Sequence, residues 1–220
     1  MLSRRSCVSN AEYQLIPSLG RIPQLIGDND YLLSYELRLL DDFKGKAMPY
    51  LKHIPRTEWE WIFLAQHHGI PTRLLDWSRN PLISLYFAVT SEPDEDFAIY
   101  QGFFLDLLYQ GPGGKFLNKG GCVDEDIEEN PFNLSQDFAI YPTYFDQRLL
   151  NQSALFTVHK MPDKAMTKDV TKYIFSSRLK PRFRVMLKAF GINKSFIYPT
   201  LDNIAKDIKL NWESQLPMPG

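Results

Sequence analysis

The sequence predicts an α+β domain in which a small mixed or antiparallel sheet is flanked by helices and followed by a helical C-terminal region. Five segments have apolar residues at helical spacing, two of them after residue 180. Three shorter segments have the length and apolar content of strands: 72–77, 98–105 and 154–159. Of the 220 residues, 44% are hydrophobic and 23% are charged, which is typical of one globular domain. We expect a single domain over residues 1–213 and a tail over 214–220.

Two helices are predicted before residue 70 from their end signals. Asp30 can cap the first, which closes at Pro49 and has an apolar face of Leu32, Leu33, Leu37, Leu40, Phe43 and Ala47. Thr57 followed by Glu60 is the capping-box pattern at the start of the second helix. Gly69 can supply the left-handed residue that ends it.

A short strand and a buried helix are predicted directly after that turn. Residues 72–77 form the strand, and Asn80 with Pro81 supplies the N-cap and the first helical residue. The helix continues to Val89 and is apolar nearly all round, which is typical of a helix that is buried on every side. The region from Trp59 to Val89 is therefore a compact helix, strand and helix unit.

The first, central and last parts of the chain complete the prediction. Residues 1–21 can contribute a short edge strand, and the glycine-rich and then acidic residues 108–138 predict a surface excursion. Pro181 begins a helix that ends at Gly191. Thr200 caps a last helix whose apolar side chains are expected to face inward: Leu201, Ile204, Ala205, Ile208 and Trp212.

The composition excludes several classes of protein. Lys and Arg total 25 and Asp and Glu total 26, a net charge of −1, which argues against a general nucleic-acid binder or a polybasic membrane binder. No run approaches the roughly 18 apolar residues of a membrane span, and the start lacks the apolar run of a secretory signal. The two cysteines, Cys7 and Cys122, suggest a reducing compartment. We expect a cytoplasmic protein without a membrane contact.

The common catalytic and metal motifs are absent from the sequence. It has no phosphate-binding Walker loop, no dinucleotide fingerprint after a strand, no Gly-x-Ser-x-Gly elbow and no Cys-x-x-Cys pair. His67 and His68 are adjacent, so on a helix they lack the four-residue spacing with which two imidazoles share a metal. We expect no metal site.

One region is a candidate for contact with a phosphate backbone. Between residues 176 and 200 there are six cations and no acid: Arg178, Lys180, Arg182, Arg184, Lys188 and Lys194. The alternative, which we favour, is the solvated face of an amphipathic helix whose Phe183 and Leu187 point inward.

The segment from Gln66 to Ala88 carries the densest set of polar groups in an apolar frame: His68, Thr72, Arg73, Asp76, Trp77 and Ser78. Arg73 and Asp76 are three residues apart, so on a strand they face opposite sides and need separate partners. Two interpretations are open. Both residues pin neighbouring helix ends, or one of them faces a ligand.

Residues 65–88 resemble the FRG domain family, named for an N-terminal aromatic-Arg-Gly motif. They read Ala-Gln-His-His-Gly-Ile-Pro-Thr-Arg-Leu-Leu-Asp-Trp-Ser, then Pro-Leu, then Ser-Leu-Tyr-Phe-Ala. The family's signature is similar, with conservative changes such as His68 for tyrosine and Ile70 for leucine. Segments 13–21, 148–159 and 191–202 resemble further parts of the family, so the resemblance extends over nearly the whole chain.

The sequence departs from the family at two places. Ser3-Arg4-Arg5-Ser6 stands where the family has Phe-Arg-Gly-Gln, so the arginine is kept and the aromatic residue and the glycine are not. Position 153 is a serine where the family prefers a glycine nearby. A glycine permits a close approach of backbone or ligand.

The order of motifs is also similar to that of ADP-ribosyltransferases, and this layout implies NAD as cofactor. The implied catalytic residues are Arg4, Arg73, Asp76 and Gln152. The implied cofactor-binding residues are His68, Thr72, Trp77, Ser78 and Tyr86. In this hypothesis the two arginines bind phosphate, the carboxylate and His68 position the ribose or the acceptor, and Gln152 orients the nucleophile.

Three functions follow as expectations. The first is an ADP-ribosyltransferase-like transferase that binds a nucleotide-type small molecule and acts on a protein or nucleic-acid target, as a toxin or phage-defence effector in bacterial cytoplasm. The second is an inactive FRG module that binds or regulates, which the altered first motif favours. The third is a protein that interacts with nucleic acid through residues 178–194. The sequence leaves the acceptor, the oligomeric state and the biological partner open.

Overall fold

The computed structural model describes residues 2–4, 14–90, 95–103, 130–142 and 146–213. These residues form seven α-helices and six strands, joined by short 3-10 turns. The helices are α1 (Asn29–Ala47), α2 (Glu58–His67), α3 (Pro81–Thr90), α4 (Gln147–Asn151), α5 (Lys180–Ala189), α6 (Lys194–Ile197) and α7 (Leu201–Glu213). The strands are β1 (Leu2–Arg4), β2 (Leu74–Ser78), β3 (Phe97–Gly102), β4 (Phe138–Ile140), β5 (Ala154–Val158) and β6 (Val170–Phe175). The predicted α+β class is confirmed.

The strands form one antiparallel sheet in the order β4-β5-β2-β1-β3-β6. β1 lies in the middle, where Ser3 pairs with Ser78 of β2 and Arg4 pairs with Tyr100 of β3. The sequence predicted an edge strand at this position. In the structure it joins β4-β5-β2 to β3-β6, because its backbone N–H and C=O groups pair with those of β2 on one side and β3 on the other.

The predicted helix ends are confirmed where a capping residue or a left-handed glycine specifies them. The Oγ1 of Thr57 accepts a hydrogen bond from the backbone N–H of Glu60 at the start of α2. Gly69 and Gly191 have left-handed φ angles of 88° and 75° after α2 and α5. One cap is corrected: α1 begins two residues after Gly27, and the side chain that caps it is Asp28.

The core lies on both faces of the sheet because side chains of β2 alternate. Leu74 faces α2 and joins a cluster that contains Trp59, Phe63 and Phe156. Leu75 and Trp77 point to the opposite face and pack with a second group that includes Leu15, Ala139 and Leu155. α3 and α5 enclose a third cluster with β3. No helix in the described ranges is long and apolar enough to cross a bilayer.

Three expectations fall partly or wholly outside the described ranges. The excursion predicted at 108–138 lies outside them over residues 108–129. The core resumes before residue 138, since Leu134 and Phe138 are buried. The tail at 214–220 and both cysteines are also outside. The single domain over 1–213 stays a prediction.

The last helix differs from its prediction. α7 has the expected helical period, but the side chains predicted to face inward are exposed: Leu201, Ile204, Ala205, Ile208 and Trp212. An amphipathic pattern shows that one face is apolar and does not show which element covers it. Within the described structure α7 packs mainly on α6.

A buried hydrogen-bond chain ties β2 and β5 to the segment before β4. The indole Nε1 of Trp77 donates to Thr157 Oγ1 at 3.0 Å, and that hydroxyl lies 2.9 Å from Nε2 of His159. The Nδ1 of His159 is 3.4 Å from the carboxylate of Asp137. Burial by itself raises the pKa of Asp137, but hydrogen bonds and positive charge from His159 and Lys160 outweigh it and lower that pKa.

We expect Asp137 to make the free energy of unfolding depend on pH in the acidic range. Because its folded-state pKa lies below its unfolded value of about 4, the contribution is present above about pH 4 and is lost as pH falls through the folded pKa. Asp137→Asn should flatten the dependence of unfolding free energy on pH in this window. Its cost at pH 7 should stay within about 1 kcal/mol, since the carboxylate is half exposed. Urea titrations of both proteins from pH 3 to 7 check this, and parallel curves would contradict it.

Candidate functional site

The junction of β2 and α3 is built by hydrogen bonds from two polar residues. The hydroxyl of Ser78 donates to the carbonyl of Gln152 at 2.7 Å and accepts from the backbone N–H of Asn80 at 3.1 Å. The Oδ1 of Asn80 accepts from the backbone N–H of Leu82 at 3.0 Å and so caps α3. These bonds hold the end of β2, the start of α3 and the turn before β5 together.

A cavity of about 90 Å³ lies beside this junction. Its apolar wall comes from α3, α4 and β5 through Ile83, Phe87, Leu149 and Phe156. The remaining lining residues are Gln66, His67, Asp76, Trp77, Ser78, Ser84, Arg148 and Gln152. The combination of an apolar wall with several converging polar groups is typical of a binding site.

Asp76 is held in the cavity by a relay to the preceding turn. Its Oδ2 accepts a hydrogen bond from Gln66 Nε2 at 3.0 Å. The Oε1 of Gln66 accepts in turn from the hydroxyl of Thr72 at 2.6 Å. Because this relay uses only Oδ2, the second carboxylate oxygen of Asp76 is available for a ligand in the described structure.

Arg148 and His67 form the opposite side of the site. The Nη1 of Arg148 donates to the backbone carbonyl of His67 at 3.4 Å, and its guanidinium carbon lies 4.7 Å from the ring centre of Tyr198. The Nε2 of His67 lies 3.2 Å from the carboxylate of Asp146. Burial and the nearby Arg148 charge lower the pKa of His67 more than Asp146 raises it. The imidazole is therefore neutral at pH 7.

Two polar atoms in the cavity wall have no hydrogen-bond partner in the described structure. The Oγ of Ser84 belongs to a side chain that is 0% exposed, and the Nε of Arg148 is also buried. Buried polar atoms are nearly always paired, since an unpaired one costs about 1–3 kcal/mol. Both residues line the cavity, and both atoms are closed to solvent in the described structure.

Gln152 lies in the turn between α4 and β5. Its backbone carbonyl accepts from Ser78, and its Nε2 donates to the carbonyl of Ile197 at 3.2 Å. The next residue, Ser153, has a φ of 47°, in the left-handed region that favours glycine. This conformation favours a glycine at this position.

Ser153→Gly is expected to raise the unfolding free energy by about 0.5–1 kcal/mol, since the left-handed backbone strain is relieved at some entropic cost. Ser153→Ala is the matched control, because alanine keeps the strain and should give no gain. Chemical denaturation of the three proteins measures both effects. Equal stability of the glycine and alanine variants would show that the strain is small.

The structure places Arg73, a predicted phosphate ligand, in a buried ion pair. Arg73 is 4% exposed and Glu36 of α1 is 2% exposed. The Oε2 of Glu36 accepts from Arg73 Nη2 at 2.6 Å and from Nε at 2.7 Å, and its Oε1 accepts from the Arg73 backbone N–H. Arg73 therefore pins α1 to the start of β2, and it does not line the cavity.

The other predicted site residues divide between the cavity and its supports. Asp76, Trp77, Ser78 and Gln152 all line the cavity, although the ring of Trp77 packs on the opposite face of the sheet. Thr72 is buried and supports Asp76 through the relay.

The remaining predicted residues lie elsewhere. His68 is exposed at the end of α2, and Tyr86 lines a different groove between α3 and α7. Arg4 lies in β1, one residue from the pairing of Ser3 with Ser78, and its side chain is outside the described part of the structure.

Four polar residues of the cavity were not predicted: Gln66, His67, Ser84 and Arg148. Ser84 had a signal in the sequence, since it is the one serine inside the otherwise apolar and aromatic run Leu82–Val89. Arg148 begins the segment 148–159 in which the resemblance continues, but no local pattern shows that the fold brings α4 to the end of β2. Among the described residues, no group of three His, Cys, Asp or Glu side chains is placed to hold a metal.

The structure also shows which cations of the basic segment 178–194 are accessible to a partner. Lys180 is 1% exposed and lies over the ring of Phe97, and the Nε of Arg184 donates to the Val89 carbonyl at 2.7 Å. Arg184 is itself exposed, and so are four further cations: Arg178, Arg182, Lys188 and Lys194. The segment is thus the amphipathic face that we favoured, with these exposed cations left for an anionic partner.

The comparisons with known proteins give one match. The model of the FRG domain family matches residues 7–96. No curated protein and no solved structure match the chain. The matched range contains α1, α2, β2 and α3, so it supplies Asp76 and Ser84, whereas Arg148 and Gln152 on the facing side lie beyond it.

Proposed function

We propose that the protein is an ADP-ribosyltransferase-like enzyme that uses NAD, from the premise that its residues 7–96 match the FRG domain family. One observation supports the proposal above the others. The motif segment ends in a cavity that combines the carboxylate of Asp76, the guanidinium of Arg148 and the amide of Gln152.

The reaction would use these groups as follows. The bond between the nicotinamide nitrogen and the ribose carbon breaks, and nicotinamide leaves with the electron pair. The ribose then carries positive, oxocarbenium-like charge, as in glycoside cleavage. The carboxylate of Asp76 would stabilise that charge, and Gln152 would orient the acceptor. The acceptor bonds to the ribose carbon and releases its proton to a carboxylate, for which Asp76 is the group at hand.

The size of the cavity restricts what it would hold. Its volume of about 90 Å³ is well below the roughly 300–1,000 Å³ of a drug-sized ligand site. It would therefore take one ring with its substituent, and the rest of the dinucleotide would lie outside it. Arg4 stays the candidate for the phosphates, a role that the pairing of Arg73 with Glu36 no longer supports.

A second function, an FRG module that binds a ligand without turning it over, is favoured by one sequence observation. Ser3-Arg4-Arg5-Ser6 lacks the aromatic residue and the glycine of the family's first motif. Because Ser3 pairs with Ser78 of β2, which lines the cavity, the first of these changed positions lies next to the cavity. Such a module would keep the Asp76 cavity and lose the reaction.

The test is incubation of the purified protein with NAD at about millimolar concentration, the upper end of usual KM values. Nicotinamide release is followed by chromatography and binding by thermal shift. We expect both, and we expect Asp76→Asn to abolish release while the protein stays folded. Exposed Asp42, paired only with Lys46, provides the control Asp42→Asn. A thermal shift without release identifies the binding module, and the absence of both overturns the proposal.

Expression in bacteria gives an independent measurement. A toxin or defence effector that consumes NAD should arrest growth and deplete cellular NAD when it is induced. The Asp76→Asn variant should do neither at equal protein level. Growth arrest that is unchanged by Asp76→Asn would mean that toxicity arises from another part of the chain.

A further inference from the structure

A second cavity lies between the C-terminal end of α3 and the helices α5, α6 and α7, and we call it the α3–α7 groove. Its volume is about 340 Å³, within the roughly 300–1,000 Å³ of sites that hold small ligands. Its apolar lining comes from Val89, Leu187, Ile192 and Leu210. Leu187 and Ile192 are also part of the buried cluster beneath α3 and α5, so an apolar floor is built into the fold.

The α3–α7 groove and the Asp76 cavity lie on different faces of α3. Ile83 and Phe87 line the cavity, whereas Tyr86, Val89 and Thr90 line the groove. Residues three or four positions apart share a helix face, so the two sets of side chains leave α3 in different directions. The two sites have no lining residue in common within the described structure, and each can therefore be altered separately.

The polar part of the groove carries an excess of positive charge. Arg184, Lys188 and Lys194 line it and are exposed, and none of them forms an ion pair with another described residue. Asp207 is the one acid among the described lining residues, and its Oδ2 accepts from the backbone N–H of Ser195 at 2.8 Å. Three cations and one acid leave a local charge of +2, which attracts an anion.

Arg184 is held in a fixed orientation at the edge of the groove. Its Nε donates to the carbonyl of Val89 in the last turn of α3 at 2.7 Å. The N–H groups on its two terminal nitrogens have no partner among the described residues. A guanidinium edge with two parallel N–H donors matches the two oxygens of a carboxylate. The groove therefore combines an apolar floor with one oriented site for a carboxylate.

We propose that the α3–α7 groove binds a small molecule that has an apolar chain and one terminal carboxylate. The carboxylate pairs with Arg184 and lies near Lys188 and Lys194, and the chain packs on the apolar lining that contains Val89 and Leu187. A volume of about 340 Å³ equals roughly eleven water volumes, which suits a chain of about eight to ten carbons. This site goes beyond the proposed function and does not depend on it.

The first experiment titrates straight-chain alkanoates, from butanoate to dodecanoate, into the full chain by calorimetry. We expect affinity to rise by about two- to fourfold for each added methylene, because each one buries apolar surface. The rise should stop at about eight to ten carbons, when the groove is filled. Octan-1-ol keeps the chain and lacks the charge, so it should bind at least about tenfold more weakly than octanoate. Equal binding of octanoate and octanol, or no binding of octanoate, would overturn the inference.

Substitution of the cations tests whether the carboxylate binds in this groove. Arg184→Gln should weaken octanoate binding by about tenfold, since it removes the two-donor edge. Lys188→Gln should weaken it by about threefold, because an exposed cation contributes less. Arg182→Gln is the matched control, since Arg182 is an exposed cation of the same helix that does not line the groove. Should Arg184→Gln fail to fold, Lys188→Gln decides the question. Equal octanoate affinity of Lys188→Gln and Arg182→Gln would place the ligand elsewhere.

Leu210→Ser tests the apolar wall without disturbing the core. Leu210 is 59% exposed, so the variant should stay folded, and it should lose at least about threefold in octanoate affinity because apolar contact with the chain is removed. Leu201→Ser is the matched control, since Leu201 lies in the same helix, is 84% exposed and does not line the groove. Octanoate affinities that fall equally in both variants would contradict the assignment.

Sedimentation of the same proteins distinguishes a small ligand from a second copy of the chain. We expect the wild type, Leu210→Ser and Leu201→Ser to have the same oligomeric state, because the groove is filled by the ligand. A dimer that Leu210→Ser dissociates and Leu201→Ser does not would assign the groove to a partner copy and overturn the inference. None of these measurements uses NAD, so failure of the NAD reaction and failure of this site are distinguishable.

Discussion

Replacing Arg73 with alanine is expected to lower the unfolding free energy by about 3–5 kcal/mol, since it leaves a buried carboxylate without its partner. Glu36 is almost fully enclosed and accepts three hydrogen bonds, all of them from Arg73. Burial raises the pKa of Glu36, and the charge and hydrogen bonds of Arg73 oppose that shift. The loss would be measured as a lower midpoint in urea.

Two controls make this expectation specific. Lys46→Ala breaks an exposed ion pair with Asp42 of the same helix and should change stability by less than about 0.5 kcal/mol. The double variant Glu36→Leu with Arg73→Met removes both charges and should recover much of the loss, because well-packed apolar residues often replace a buried ion pair without net cost. A single Arg73→Ala variant that keeps its stability and loses NAD binding would contradict the structural role.

The contrast between Arg73 and Arg148 shows why a site is harder to predict than a helix. The motif placed Arg73 beside Asp76 in sequence, and both appeared suited to a ligand. The partner of Arg73 is Glu36 in α1, and no local sequence pattern predicts that pairing. Arg148 reaches the cavity only because β5 pairs with β2, with Asp76 opposite Phe156. Long-range pairing of this kind is invisible to local spacing.

The helices were more accessible to prediction because their ends are specified locally. Thr57 caps α2 and Gly69 ends it through bonds within a few residues. The strands β4 and β6 were missed. β4 is three residues long, and β6 contains Lys172 and Tyr173 in an exposed edge strand that lacks a clear apolar alternation. The helical period predicted for α7 was correct, but its apolar side chains were wrongly expected to be buried. A helical period does not show which element packs on the apolar face.

Gly20→Ala is expected to be strongly destabilising, with a cost of about 3 kcal/mol or more. A Cβ at Gly20 would lie 1.8 Å from the carbonyl oxygen of Pro162 and 2.4 Å from its carbonyl carbon. Both atoms are backbone, so a rotamer change cannot relieve the clash. The 14–25 segment would have to move away from the loop after β5.

That movement would reach the cavity through a short series of contacts. The backbone N–H of Leu19 donates to the carbonyl of Thr72, and Ser18 Oγ accepts from the Thr72 N–H at 3.2 Å. Thr72 supports Gln66 and through it Asp76. Gly20→Ala should therefore weaken ligand binding as well as stability, although Gly20 itself is not among the lining residues.

Gly45→Ala is the matched control for the same added methyl. Gly45 lies inside α1 with open space where its Cβ would be, and alanine in a helix is favoured over glycine by about 1 kcal/mol. This variant should melt higher and bind ligand as the wild type does. Thermal and urea unfolding of both variants, with nicotinamide titrations, test the pair. If Gly20→Ala is as stable as Gly45→Ala, the close approach of the two backbones is not a feature of the folded protein, and the support that it gives to Thr72 and Asp76 must come from elsewhere.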